Sequence, residues 1–180
     1  MNQFEAQIVL WVAEHRVPFL DVFNQCVTVL NDKGILSIIV CVLFLAFRKM
    51  RKYGIVCSLS LLIQFILNNG CLKPLIGRIR PYVVEPMIEV ITHLPGDNSF
   101  PSGHTGASFA VAFAMMLVMP KKWSVPALIL AALIAISRLY VGVHYPTDIL
   151  AGMALGLITA FIARWLGEKI AKNDKVRKLL

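Results

Sequence analysis

The 180-residue sequence predicts an all-α fold: a polytopic membrane helix bundle of five to six transmembrane helices with an amphipathic amino-terminal helix. Two observations lead there. Hydrophobic residues make up 58% of the chain and charged residues only 16%, with mean hydropathy +0.72, whereas soluble domains are roughly 45–50% apolar. The charges also fall in short runs between long uncharged stretches, with Arg48, Lys49, Arg51 and Lys52 in one run, Lys121 and Lys122 in a second, and Arg164, Lys169, Lys172, Lys175, Arg177 and Lys178 in a third. That spacing follows the excess of cytoplasmic Lys and Arg in membrane proteins. It does not form the basic stripe of a nucleic-acid binder, so the net charge of +8 implies no nucleic-acid partner.

Along the chain, Phe4, Ile8, Trp11, Val12 and His15 recur at helical spacing and predict the amphipathic helix, lying in the interface. Residues 17–31 carry Asp21, Asn24 and Gln25 among apolar neighbours and fit either a second surface helix or a sixth, weakly hydrophobic span. Five spans follow at 34–47, 53–72, 105–120, 123–137 and 149–163. Some are shorter than the ~20 residues a crossing helix needs, and polar ends with snorkelling Lys and Arg extend them. The expected organisation is one membrane-embedded domain over 1–180: amino-terminal interfacial helices or a weak extra span over 1–32, a helix bundle over 33–168 and a cytoplasmic basic tail over 169–180. Cys26, Cys41, Cys57 and Cys71 lie in apolar segments without metal-ligand spacing and read as small buried hydrophobes. Gly152 and Gly156 predict close helix packing.

With the basic runs on the cytoplasmic side, the 73–103 loop and the 138–148 turn emerge together on the opposite face and hold most of the remaining polar chemistry. Lys73, Arg78 and Arg80 gather cations where positive charge is normally scarce, which calls for an anion; guanidinium groups suit phosphate oxygens. In the stretch FPSGH, Pro101 prepares a helix start, Asn98 or Ser99 is placed to cap it, and Ser102, Gly103 and His104 fill the first turn. Unpaired backbone N–H groups at such an end bind phosphate. Arg138 ends the fourth span and needs a partner, because an unpaired arginine among apolar groups costs at least ~2.5 kcal/mol. Pro146 starts a helix, leaving His144 in the turn before it and Asp148 in its first turn, within reach of one imidazole nitrogen. That pairing marks His144 as a candidate nucleophile.

These stretches resemble the type 2 phosphatidic acid phosphatase superfamily, which includes the vanadium haloperoxidases. Its pattern of K-x6-RP, PSGH and SR-x5-H-x3-D is met by Lys73, Arg80 and Pro81; by Pro101, Ser102, Gly103 and His104; and by Ser137, Arg138, His144 and Asp148. Their order and spacing over residues 73–148 carry the resemblance; any one element alone is weak.

The resemblance implies a helical membrane phosphatase without metal or other cofactor, working through a phosphohistidine. It assigns His144 as nucleophile, Asp148 as its orienting partner and His104 as the acid that protonates the leaving oxygen. Lys73, Arg80, Ser102, the Gly103 amide and Arg138 then hold the phosphoryl oxygens. Arg78 falls outside this set, facing substrate or solvent. The expected substrate is a lipid phosphate or diphosphate, with membrane lipids around it. A compact chain of this kind looks most like the bacterial members that act on undecaprenyl diphosphate for cell-wall synthesis, in the inner membrane with the active site extracytoplasmic. Phosphatidylglycerophosphate, phosphatidic acid and diacylglycerol diphosphate are rival substrates, and a lipid phosphoryl transferase is a rival activity. A transporter would put ionisable residues at mid-bilayer, and here they gather at one face.

Overall fold

A computed structural model describes residues 3–171, so Lys172, Lys175, Arg177 and Lys178 of the expected basic tail lie outside the described residues. Every regular element described is helical: α1 (Gln3–Glu14), α2 (Pro18–Leu30), α3 (Ile35–Ala46), α4 (Arg51–Phe65), α5 (Lys73–Ile76), α6 (Pro81–Val84), α7 (Gly103–Val118), α8 (Lys121–Tyr140) and α9 (Pro146–Ala171). A π-helical stretch, Ile66–Leu72, joins α4 to α5 without a break.

α7 is the axis of the bundle, and α3, α4, α8 and α9 pack around it. Its sequence is rich in small residues, and ten of its residues, from Thr105 to Met115, are buried. Small side chains let neighbouring backbones approach, and that approach drives helix association where lipid supplies no hydrophobic force. Against α7, α9 presents Gly152 and Gly156. A Cβ on Gly152 would sit 2.8 Å from the Ser102 carbonyl oxygen, and one on Gly156 would sit 2.8 Å from the Ala110 nitrogen. The substitution Gly156→Val therefore forces two backbones apart and is expected to cost about 1–3 kcal/mol, read as a lower unfolding temperature in detergent. Buried polar pairs tie other elements to α7, with Ser60 of α4 donating to the Ala110 carbonyl at 2.9 Å and Asn31, between α2 and α3, to Ser108 at 2.7 Å. The outer surface is apolar: Leu62, Phe65, Ile129, Ile136, Ile158 and Phe161 are exposed, as expected of side chains facing lipid.

Residues 17–31 contain α2, which meets the end of α8 through Thr28 with Arg138 and Asp21 with the Tyr140 hydroxyl. α2 and α3 form one apolar stretch, Pro18–Ala46, long enough to cross a membrane and bent at Asn31–Gly34. At 12 residues α3 is about 18 Å long. Lys33 and Gly34 take positive φ at the bend, and Asn31 steadies it by accepting from both the amide and the hydroxyl of Ser37 at 3.1 Å. α1 packs at the end where α8 finishes, through Ala6 and Val9 against Ile88 and Tyr145.

Two of the four cysteines depart from expectation. Cys41 and Cys57 are buried in the core, but Cys26 and Cys71 are exposed, because they occupy the outward faces of their helices. Chain direction sorts the two ends of the bundle. α4 leads toward Lys73, α8 ends at Arg138, and α7 and α9 begin with the PSGH and HYPTD stretches, so these lie at one end. The Arg48–Lys52 and Lys121–Lys122 runs and Arg164 lie at the other.

Candidate active site

The turn between α8 and α9 places His144, fully buried, against the first turn of α9. Its Nδ1 lies 3.2 Å from Asp148 Oδ2, and its Nε2 lies 3.4 Å from Arg80 Nη1. The carboxylate is itself fixed on every side. Oδ2 accepts from Ser99 Oγ at 2.5 Å and from the Tyr145 amide at 2.9 Å, and Oδ1 accepts from Arg78 Nη1 at 2.7 Å. With Nδ1–H directed at Asp148, the Nε2 lone pair is the one turned toward the cations. Burial pushes the His144 pKa down to about 3, with the Asp148 bond acting in the opposite sense and the charges of Arg80 and Arg138 adding to the fall. The imidazole is therefore neutral at physiological pH, the form in which Nε2 is a base.

Lys73 and Arg80 are both buried, and both turn to Asp97. Lys73 Nζ pairs with Asp97 Oδ2, and Arg80 Nη2 meets Asp97 Oδ1 at 2.5 Å. Arg80 is further positioned by bonds to the Val143 and Asp97 carbonyl oxygens, each at 2.8 Å. A carboxylate thus sits between the two cations predicted to grip phosphate. Burial alone would raise the Asp97 pKa, but the bonds from Lys73 and Arg80 outweigh it and hold the carboxyl below its ordinary value.

The helix start differs from expectation in its cap. Ser102, not Asn98 or Ser99, caps α7, with extended backbone and its Oγ accepting from the Thr105 amide at 3.5 Å and the Thr105 hydroxyl at 3.0 Å. Pro101 therefore precedes the cap, and Ser102 itself lies just before the first turn, which begins at Gly103. Ser99 cannot cap because its hydroxyl is committed to Asp148, and Asn98 bonds the Lys73 carbonyl at 3.0 Å. Since the Ser102 oxygen is used as an acceptor, its own O–H remains available to an anion. The Ser102 amide donates to the Asp148 carbonyl at 3.0 Å, which joins the PSGH stretch directly to α9.

Arg138 finds its partner in α2, where Nη1 donates to Thr28 Oγ1 at 2.5 Å. Its Nε is buried without a hydrogen-bond partner, as is His104 Nε2. The latter lies 3.3 Å from Asp32 Oδ1 at the α2–α3 bend, close enough for charge to be felt but not aligned for a hydrogen bond. Arg138, His144, Lys73 and Arg80 all lie within electrostatic range of His104. Buried polar atoms left unpaired are rare in native structures, and here two of them lie in one cluster with Lys73, Arg80 and His144.

The structure thus brings Lys73, Arg80, Ser102, Gly103, His104, Arg138, His144 and Asp148 to one end of the bundle. Sequence reading missed Asp97, Asp32 and Glu5, and took Ser99 only for a capping residue. Ser99 and Asp97 adjoin the PSGH stretch and were open to notice, whereas Asp32 and Glu5 reach the site only through folding. Arg78 is corrected: its guanidinium is engaged by Asp148 and Glu5 of its own chain.

A bundle of apolar helices that gathers buried cations around a carboxylate-held histidine at one end defines a class of integral membrane protein. The family is identified directly: residues 52–171 match the model of the PAP2 superfamily, and the chain belongs to it. It is 34% identical over 138 residues to an undecaprenyl-diphosphatase of Sulfolobus acidocaldarius, a match spanning 77% of this chain and 66% of that one, just under two thirds of the relative's length. Among solved structures it resembles Aquifex aeolicus LpxE, with TM-score 0.78 and 25% identity over 88% of this chain and 93% of that one. It also resembles a transmembrane PAP2 type phosphatidylglycerolphosphate phosphatase of Bacillus subtilis, with TM-score 0.75 and 28% identity over 94% of this chain and 87% of that one.

Proposed function

We propose that the protein is an integral membrane lipid phosphatase that hydrolyses undecaprenyl diphosphate to undecaprenyl phosphate through a phosphohistidine, acting as one membrane-embedded unit. The observation that carries this is the pairing of Lys73 and Arg80 with one carboxylate, Asp97, while Arg80 Nη1 also lies 3.4 Å from His144 Nε2: a phosphoryl group would compete with that carboxylate for the same two cations. When a phosphate dianion replaces it, oxygens fall to Lys73, Arg80, Arg138 Nε, the Ser102 hydroxyl and the Gly103 amide. His144 Nε2 then attacks phosphorus in line, and the bond from phosphorus to the leaving oxygen breaks. His104, with Asp32 nearby, protonates that oxygen. Water next attacks the phosphohistidine, giving its proton to His104, and inorganic phosphate leaves. Fixed cations stabilise the charge that spreads over the equatorial oxygens of such a transfer.

The diphosphate substrate is favoured by the Sulfolobus acidocaldarius relative, named an undecaprenyl-diphosphatase, and the apolar outer surface suits a substrate whose tail stays in lipid. The basic runs at the far end of the bundle support a cytoplasmic-membrane orientation with the site extracytoplasmic. Phosphate release by the purified protein from undecaprenyl diphosphate, phosphatidylglycerophosphate and phosphatidic acid, each with and without chelator, tests the reading. The expected result is fastest release from the diphosphate, unchanged by chelator. Faster release from either monophosphate overturns the substrate, and loss of activity restored by a divalent ion overturns the mechanism.

A further inference from the structure

Arg78 and Glu5 form a chain of contacts that the proposed chemistry does not use. Arg78 spans from one to the other: Nη1 donates to Asp148 Oδ1 at 2.7 Å and to Thr147 Oγ1 at 2.6 Å, and Nη2 pairs with Glu5 Oε2 at 2.6 Å. The guanidinium also lies over the Tyr145 ring, 4.0 Å from its centroid, a cation–π contact that fixes its plane. Glu5 uses its other oxygen to accept the Thr147 amide at 2.9 Å, in the first turn of α9, where a negative charge also complements the helix dipole. The two carboxylates are buried, Glu5 being 5% exposed and Asp148 0%, while Thr147 lies at the surface and Arg78 is half-buried. Burial opposes the Glu5 charge, but the bonds from Thr147 and Arg78 outweigh it and hold its carboxyl below the ordinary value.

We propose that Arg78 is a positioning residue for His144, acting through Asp148, and that Glu5 of α1 sets how much of the Arg78 charge Asp148 experiences. The inference rests on the reading of His144 as nucleophile. Asp148 has two oxygens and divides them between two tasks: Oδ2 serves His144, and Oδ1 is claimed by Arg78. That division stops the carboxylate from rotating and fixes the direction in which Nε2 points. It also creates a charge relay from the outermost helix to the imidazole. The other charged groups around His144 are Arg80 from the segment after α5, Arg138 from α8, Lys73 from α5, His104 from α7 and Asp97 from the loop before it. None of these contacts Asp148 Oδ1 among the described residues, so the Arg78–Glu5 pair is a separate control on the same imidazole.

The two halves of the pair act with opposite sign, which makes the proposal testable. Arg78→Ala removes a cation from Asp148, the carboxylate pulls harder on the imidazole proton, and His144 becomes more basic. Because the attacking histidine must be neutral, the acidic limb of the kcat/KM profile moves to higher pH. Glu5→Gln leaves Arg78 without its counter-charge, so more positive field reaches Asp148 and the limb moves to lower pH. Each shift is expected at about half to one pH unit. Since Arg78 touches no part of the anion seat, kcat falls about 10- to 100-fold in Arg78→Ala while KM stays within about twofold, and Arg78→Lys recovers part of the loss. The pH profiles are measured against the wild type on undecaprenyl diphosphate, so substrate ionisation is common to all. Limbs that stay put or move in the same direction overturn the proposal, as does a rise in KM at constant kcat, which would make Arg78 a phosphate ligand. Should Arg78→Ala fail to fold, the isosteric Glu5→Gln decides alone, and an unmoved limb overturns the proposal. If wild type releases no phosphate from any of the lipids, the phosphatase reading itself has failed; an active wild type with an inactive His144→Ala and unperturbed Arg78 and Glu5 variants removes this inference only.

Discussion

Replacing His144 with alanine is expected to abolish phosphate release, by about a thousandfold or more, and to abolish the acid-labile phosphoenzyme with it. Fixed cations without a nucleophile still stabilise charge, so a small residual rate from direct attack of water is expected, in line with the catalysis that remains when the covalent residue of other enzymes is removed. The side chain is fully buried, and its loss leaves a space next to Arg80 and Asp148, so the variant needs a folding control. Vanadate binding offers one: the seat of Lys73, Arg80, Arg138 and Ser102 remains, and binding that weakens less than turnover separates chemistry from collapse. Wild-type turnover by His144→Ala, or an undiminished phosphoenzyme, removes the proposed nucleophile.

His104→Ala is the second large effect, and its size is expected to depend on the substrate. A general acid contributes roughly 10²- to 10⁴-fold when the departing oxygen is a poor leaving group. An alkoxide leaving from a lipid monophosphate needs the proton, whereas p-nitrophenolate does not. The variant is therefore expected to lose that full factor on phosphatidic acid and to retain most phosphoenzyme formation from p-nitrophenyl phosphate. The second step still requires a base to take the proton of water, so the phosphoenzyme should accumulate with the activated substrate. Phosphorus-31 spectra of the quenched protein check both results. An equal loss on the two substrates without accumulation would place His104 in binding and not in proton transfer.

Much of the bundle was legible in the sequence because lipid leaves few options: long uncharged runs must be helices, and basic runs must mark their ends. Five runs did become helices, and the turn holding His144 before the helix bearing Asp148 followed from Pro146. The reading failed where an element depends on its neighbours. Residues 17–31 carry polar groups that left a surface helix and a weak sixth span both open; in the structure Thr28 meets Arg138 and Asn31 meets Ser108, partners that only the fold supplies. The cap of α7 was misplaced by a few residues because Ser99 and Ser102 are equally good caps by type; only the presence of Asp148 beside Ser99 separates them. Arg78 lies two residues from Arg80, and spacing alone cannot tell a cation that faces an anionic guest from one that faces a carboxylate of its own chain. Its partner Glu5 is 73 residues away.

The glycine contacts of α9 with α7 leave no layer of side chains between the helix that bears Asp148 and the turn that bears Ser102, whose amide is bonded to the Asp148 carbonyl. These parts are consequently one stiff block, with almost no play between them. Accommodation of differently shaped headgroups is left to the periphery, to the segment carrying Asp97 and to the two amino-terminal helices. Exchanging those outer pieces between relatives should alter which lipids are accepted while the chemistry at the block continues unchanged.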